Sequence, residues 1–195
     1  MKNNNGQTFQ NEQRIIQIIS NSPELMIILR AIADQHLVQG ALAAGSIRNT
    51  VWQVLSHQPI RLNSDIDVVF FDQDRPYSDN LIIQDQLKQR LPQYEWQVKN
   101  EVYMNTHNFD DVSPFTSVAD AIGHFVETPT CVGAFLNQRE QIELIAPHGV
   151  DDLVNFICRP ITLYQQDNDY LAIYQQRMAD KQWQKQWPQL TIMDR

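Results

Sequence analysis

The residues best placed to do chemistry are Asp65 and Asp67, separated by Ile66 and followed by the apolar run Val68-Val69-Phe70-Phe71. Such a run reads as a strand buried on both faces. Successive side chains on a strand point to opposite sides, so Asp65 and Asp67 share a face, roughly 6.5 to 7 Å apart along it. Two carboxylates so placed can share one divalent cation or bridge two, and Mg²⁺ completes such sites with water and phosphate oxygens. The chemistry that needs this arrangement is metal-assisted phosphoryl or nucleotidyl transfer, in which one cation activates the attacking oxygen and another steadies the leaving pyrophosphate. An acidic strand start facing water is the plain alternative. It is weakened by the apolar run, because two like charges at the mouth of a buried strand are costly without a cation or donor.

The second element is Ala43-Ala44-Gly45-Ser46. A strand that ends in Gly-Ser ahead of a helix presents free backbone N–H groups at a positive helix end, which suits a phosphate. Glycine lets the backbone approach a ligand closely. Ser46 can donate its hydroxyl to a phosphate oxygen, and Arg48 can add a positive charge. Serine is also a leading helix cap, so an ordinary cap by Ser46 stands beside the phosphate reading.

Apolar periodicity predicts the elements that must hold these motifs. Helical spacing runs over 8–20 and 23–36, divided at Ser20-Asn21-Ser22, with Pro23 in a first helical turn. A short apolar strand over 37–44 leads to Gly45, a helix follows over 47–56, 57–64 is a loop, and the acidic strand spans 65–71. A turn at 72–78 precedes a helix over 81–91 and a strand over 94–98, and 105–114 reads as an irregular loop. A short helix at 117–125 precedes strands at 131–136 and 141–145, joined as a hairpin across 137–140. A short helix near 151–156 and a longer one at about 167–186 complete the chain. The pattern predicts an α/β (α+β) architecture: a mixed sheet with helices packed on it. One domain is expected over 1–195, with the N-terminal helices (about 8–36) and the C-terminal helix (about 167–186) packed against the sheet.

The 195 residues carry 15 Lys and Arg against 23 Asp and Glu, a formal net charge of −8, with no basic cluster. A protein that grips a nucleic-acid backbone usually shows a basic face, so DNA or large RNA is not the expected partner. Cys131 and Cys158 read as buried free thiols of a reducing compartment. No apolar stretch of signal-peptide type follows Met1, and no run approaches the ~20 residues that span a bilayer. A cytoplasmic location without a membrane partner is the expectation. His57, His107, His124 and His148 do not fall at metal-ligand spacing, and Asp151-Asp152 suits a helix start. Trp96, Trp183 and Trp187 read as core, while Lys99 and Arg159 are unranked candidates for holding an anion.

A Gly-Ser turn after a strand, then a helix, then an Asp-x-Asp strand resembles the signature of the DNA polymerase beta-like nucleotidyltransferases. The likeness continues through Gly45-Ser46-Ile47-Arg48-Asn49-Thr50-Val51-Trp52, Ser64-Asp65-Ile66-Asp67-Val68-Val69-Phe70-Phe71-Asp72, Trp96-Gln97-Val98-Lys99-Asn100 and Glu127-Thr128. It extends to Ala146-Pro147-His148-Gly149-Val150-Asp151-Asp152-Leu153 and the ending Lys181-Gln182-Trp183 with Trp187-Pro188. Together these resemble a bacterial nucleotidyltransferase family of about this length, over about Gln17 to Leu190. The resemblance implies a nucleotidyltransferase fold, a nucleoside triphosphate bound at Gly45, Ser46 and Arg48, and Mg²⁺ (or Mn²⁺) held by Asp65 and Asp67 as the catalytic pair.

The superfamily commonly adds a third carboxylate from a neighbouring strand, and here its identity is open. Asn100 stands at the end of the Trp96 strand where an acid is expected, with Glu101 beside it; Glu127 and Glu143 are the other candidates. Two functions follow. One is transfer of a nucleoside monophosphate to a hydroxyl of a small-molecule or protein acceptor. The other is a nucleotide- or metal-binding module that has lost transfer, with Asn100 marking the loss. A pure interaction protein leaves the Asp pair and the Gly-Ser turn unexplained.

Overall fold

The computed structural model describes residues 4–104 and 113–195. His107 and most of the loop expected at 105–114 therefore lie outside the described residues. The first two helices follow their apolar spacing. Helix α1 is Asn4–Ser20 and α2 is Pro23–Ala33, with the Ser22 hydroxyl accepting from the Leu25 N–H at 3.3 Å and Pro23 in the first turn. Both bury one apolar stripe, including Ile15, Ile19, Leu25, Ile28 and Leu29.

The strand expected over 37–44 is shorter, because the chain turns before it extends. His36 and Gln39 take positive φ of 50° and 54°, and the Gly40 N–H closes on the Leu37 carbonyl at 3.1 Å. A Cβ on residue 40 would stand 2.7 Å from Leu37 Cβ, so this turn requires glycine. Strand β1 is then only Ala41–Ala43. Helix α3 is Gly45–Leu55, β2 is Ile66–Phe70, α4 is Asp79–Arg90 and β3 is Trp96–Asn100. After helix α5 (Val118–Gly123), the expected hairpin forms from β4 (Gly133–Leu136) and β5 (Ile142–Ile145).

These strands make one mixed sheet in the order β3-β2-β1-β4-β5, with β2 and β3 parallel and the other neighbours antiparallel. Register sorts the side chains. Ile66 pairs with Trp96, Val68 with Val98 and with Leu42, and all five are buried. Asp67 pairs with Gln97 and Val69 with Lys99, so these four face the other way. Helix α2 packs on β1 and β4, α3 on β1 and β2, and α4 on β3.

The C-terminal part adds α6 (Asp151–Val154), α7 (Thr162–Gln166) and α8 (Asn168–Lys181). Asp167 caps α8 by accepting from the N–H groups of Asp169 and Tyr170 at 2.7 and 3.3 Å. The helix expected to reach 186 stops at Lys181, where Gln182 turns left-handed at φ 48° and a short 3-10 turn, Trp183–Lys185, takes over. Two features absent from the sequence reading are α7 and a parallel pair of two-residue strands, β6 (Ile157–Cys158) with β7 (Thr191–Ile192). Trp52 of α3 ties this part to the sheet. Its indole lies edge-on to Trp187 and Trp183 at 4.8 and 5.6 Å and donates to the Leu153 carbonyl at 2.9 Å. Each such aromatic pair contributes about 0.5–1.5 kcal/mol beyond area burial, so the expected core role of Trp183 and Trp187 holds. Cys131 and Cys158 are buried and free. Among the described residues no single helix is long and apolar enough to cross a membrane.

Candidate functional site

Ala44 sets the geometry of the Gly-Ser turn. It takes φ 56° and ψ −117°, a region that costs an L-residue about 1–3 kcal/mol. Its N–H donates to the Val132 carbonyl at 2.9 Å, which holds the conformation in place. Because the chain reverses at Ala44, α3 already begins at Gly45. Ser46 therefore lies inside the first turn rather than capping it, a correction to the cap reading. The Arg48 N–H reaches the Ala44 carbonyl at 3.1 Å, which leaves the N–H groups of Gly45, Ser46 and Ile47 at the open helix end. The Ser46 hydroxyl is 1% exposed and has no hydrogen-bond partner among the described residues, a deficit worth about 1–3 kcal/mol. Gly45 needs neither a left-handed backbone nor room from its neighbours. A Cβ there would meet only Ser64 Oγ at 3.6 Å and Arg48 Nη2 at 3.9 Å, ordinary contacts.

Gly45 forms part of the wall of a cavity of about 470 Å³, a volume typical of small-ligand sites. Its lining includes Gly45, Ser64, Asp65, Asp67, Lys99 and Glu101 together with the apolar Phe115, Phe125 and Leu163. Asp65, just before β2, is exposed, and Asp67 is half-buried. Burial pushes the Asp67 carboxyl above its ordinary range; Lys99 pulls it back and Asp65 adds to the rise.

The four candidates for a third acid separate cleanly. Asn100 pairs with Phe70 and so faces the core with Trp96 and Val98, away from Asp67. Its amide is a local staple: Nδ2 donates to the Asp72 carbonyl at 2.7 Å and Oδ1 accepts from the Asp72 N–H at 3.1 Å. Glu101, one residue on, turns to the cavity and is 4% exposed. Burial raises its carboxyl from an ordinary 4.5 to about 7, with Lys99 opposing and Asp67 reinforcing the rise. Glu127 is fully buried in a different setting, between Arg48 and Arg177. Glu143 pairs with Phe135 on β5, three strands from β2 or roughly 14 Å away, and accepts from Asn137 Nδ2 at 2.7 Å at an exposed surface.

Arg48 also lines the cavity, but its donors turn inward. Nη1 donates to Thr130 Oγ1 at 2.6 Å, Nη2 to Asn49 Oδ1 at 2.9 Å, and the guanidinium lies over the Trp183 ring at 4.0 Å. Burial draws it down to about 10, against the pull of Glu127. Of the two cations singled out earlier, Lys99 reaches the cavity, whereas Arg159 pairs with Asp152 at 2.7 Å elsewhere. Asp151 accepts from Thr8 and Asn11, fastening α1. His124 lines the cavity, and His148 lies outside it, against the Gly123 carbonyl at 2.7 Å. Sequence reasoning missed Arg177 and Lys181 of α8, which also line the cavity; their spacing of four was the available signal, without any indication of where α8 docks.

The family model described as nucleotidyltransferase matches residues 30–192. A solved structure described as a CCA-adding enzyme head domain, determined by NMR, is similar at 38% identity and a TM-score of 0.83, covering 93% of this chain and 95% of that one. Two structures of a tRNA-processing enzyme, one in a complex and one in an apo form, align at 12% and 11% identity with TM-scores of 0.49 and 0.48. They cover 77% and 91% of this chain and 41% and 43% of theirs, a likeness that carries no argument. No curated protein matches the chain.

Proposed function

The chain belongs to the nucleotidyltransferase family, and from the geometry of its cavity we propose that it moves a nucleoside monophosphate from a nucleoside triphosphate to a hydroxyl of a small-molecule or protein acceptor. The observation that carries this reading is the meeting of the open N-terminus of α3 at Gly45 with Asp65 and Asp67 in the lining of one cavity. A helix start offers N–H groups and positive potential to phosphate, and paired carboxylates offer hard oxygen donors.

Asp65 and Asp67 fit Mg²⁺ (or Mn²⁺) by chemistry, since both donors are carboxylates in the lining of the cavity. Among the described residues no three His, Cys, Asp or Glu side chains converge on one point. Mg²⁺ usually takes one or two carboxylates and completes its shell with water and substrate phosphate. Bound there, the cation supplies Lewis-acid stabilisation of the transferring phosphate.

The rest of the work falls to the chain's own groups. The Gly45 N–H at the cavity holds the triphosphate, with the Ser46 N–H behind it at the same helix end, and the space left by the absent Cβ at Gly45 admits the ligand. Glu101 takes the proton of the acceptor hydroxyl. A carboxyl raised to about 7 is suited to that task at neutral pH. The acceptor oxygen bonds to the α-phosphorus, the α–β P–O bond breaks, and the electron pair leaves on pyrophosphate. A binding-only module was the alternative suggested by Asn100. Asn100, which suggested it, faces the core, whereas Glu101 lines the cavity, and this favours transfer.

The similar NMR structure is described as a CCA-adding enzyme head domain, so a polynucleotide end that receives CCA is the acceptor to test against. The net charge of −8 and the absence of a basic cluster in the sequence favour a small-molecule or protein acceptor instead. The test is calorimetric titration with a panel of nucleoside triphosphates, with and without Mg²⁺, repeated on Asp65→Asn/Asp67→Asn. Metal-dependent binding that the double variant loses supports the reading. A protein that binds no triphosphate refutes it.

A further inference from the structure

The cavity wall supplied by α8 carries Arg177 and Lys181, one helical turn apart. Arg177 is anchored from behind: Nε and Nη2 donate to Oε2 and Oε1 of Glu127 at 2.8 and 3.1 Å. Glu127 is wholly buried, accepts from the Thr130 hydroxyl, and lies 3.7 Å from Arg48 Nη1. One carboxylate thus stands between two guanidinium groups, leaving a net charge of +1 from two arginines and one glutamate.

The two arginines are used differently. Arg48 is 5% exposed and spends its donors on Asn49, Thr130 and the Trp183 ring. The Arg177 side chain is 33% exposed and stands 6.0 Å from the Trp183 ring, and its Nη1 has no hydrogen-bond partner among the described residues. A guanidinium fixed through two of its nitrogens presents the third with little rotamer entropy left to lose. Lys181, exposed, and Lys99, half-buried, also have no hydrogen-bond or ion-pair partner among the described residues. Lys99 and Lys181 act on Asp67 only through space, without a hydrogen bond or ion pair among the described residues, which leaves their ammonium donors for an anion brought in from outside. A structural clasp between α8 and the Glu127 turn would explain the Glu127 pair but neither Lys181 nor the free Nη1.

We propose that Arg177 and Lys181 bind the outer, leaving phosphates of the nucleoside triphosphate, and that Glu127 is the positioning residue that holds Arg177 for this task. The inference rests on the nucleotidyl-transfer reading above. As the α–β P–O bond breaks, the electron pair moves onto the departing pyrophosphate. Fixed positive groups at that end stabilise the developing charge without reorganising.

The experiment is titration of inorganic pyrophosphate, a nucleoside triphosphate and the matching nucleoside monophosphate, each with Mg²⁺. The proteins are the wild type, Lys181→Ala, Arg177→Gln, Glu127→Gln and Glu127→Asp. Lys181 is exposed, so its truncation leaves the fold intact even if the Glu127 variants do not fold. A charge-assisted contact is worth about 1.5–3 kcal/mol, or roughly 10- to 100-fold in affinity. Lys181→Ala and Arg177→Gln should each weaken pyrophosphate and triphosphate by that factor and alter the monophosphate by less than about twofold. Glu127→Gln should weaken pyrophosphate as Arg177→Gln does, and Glu127→Asp should restore part of the loss. Unchanged pyrophosphate affinity in folded Lys181→Ala and Arg177→Gln, or no pyrophosphate binding by the wild type, overturns the inference. If triphosphate still binds through Asp65 and Asp67, only this inference fails; triphosphate binding indifferent to Asp65→Asn/Asp67→Asn overturns both readings.

Discussion

Replacing Glu101 by glutamine should make the protein more stable at about pH 8 while disabling transfer. The carboxyl is 4% exposed, and burial is the main cause of its rise from 4.5 to about 7, with Asp67 adding repulsion and Lys99 opposing. The native state therefore holds this proton through a window in which the unfolded chain has released it. More protons bound in the native state means that stability falls as pH rises. The group's penalty is absent below about 4.5 and fully developed above about 7. At about 1.36 kcal/mol per pH unit, that rise corresponds to about 3 kcal/mol. Glutamine is a neutral isostere of the protonated acid, so it mimics the wild type at low pH and escapes the penalty at high pH. Urea unfolding of both proteins in chelator-containing buffer at about pH 4.5 and 8 gives the double difference that isolates this group. The variant should match the wild type at the lower pH and exceed it by about 3 kcal/mol at the higher one. Transfer, once an acceptor is found, should fall about 10²- to 10⁴-fold, as for loss of a general base. Parallel stabilities at both pH values would refute the burial argument; a stable variant with unchanged transfer would refute the role as base.

Ala44→Gly should relieve the backbone strain at φ 56° and raise stability by about 1 kcal/mol, read as a Tm increase of about 2–4 °C. Gly45→Ala should fold normally, since the added Cβ meets nothing closer than 3.6 Å, yet lose triphosphate affinity in a direct titration. Ser46→Ala, which removes an unpartnered buried hydroxyl, should leave thermal stability unchanged or improved. Trp52→Ala should cost about 3–5 kcal/mol in urea unfolding, because a wholly buried indole that bridges three aromatic rings leaves a large cavity.

The mixed sheet was legible in the apolar runs, and Asp65 and Asp67, expected to share a face from strand parity, both line the cavity although Asp65 precedes the strand. The same parity could have excluded Asn100, which stands in step with the buried Trp96 and Val98, and would have left Glu101 on the other face. The place of Ser46 was not legible, since it depends on a left-handed alanine that no local propensity announces. Arg48 looked like a phosphate ligand because its partners, Thr130 and Trp183, are far away in sequence. Arg177 and Lys181 were hidden for the same reason: only the docking of α8, fastened by the wholly buried Glu127, brings them to the cavity. The shortened β1 and the two-residue strands β6 and β7 escape periodicity because they are shorter than its window.

In the proposed function, Asp65, Asp67 and the start of α3 form one site for a metal and a nucleotide together. The most direct test is electron paramagnetic resonance of Mn²⁺ titrated into the protein with and without a nucleoside triphosphate. A bound Mn²⁺ signal is expected that the triphosphate strengthens and that Asp65→Asn/Asp67→Asn abolishes. Mn²⁺ binding that the double variant retains, or that the triphosphate leaves unchanged, would contradict it.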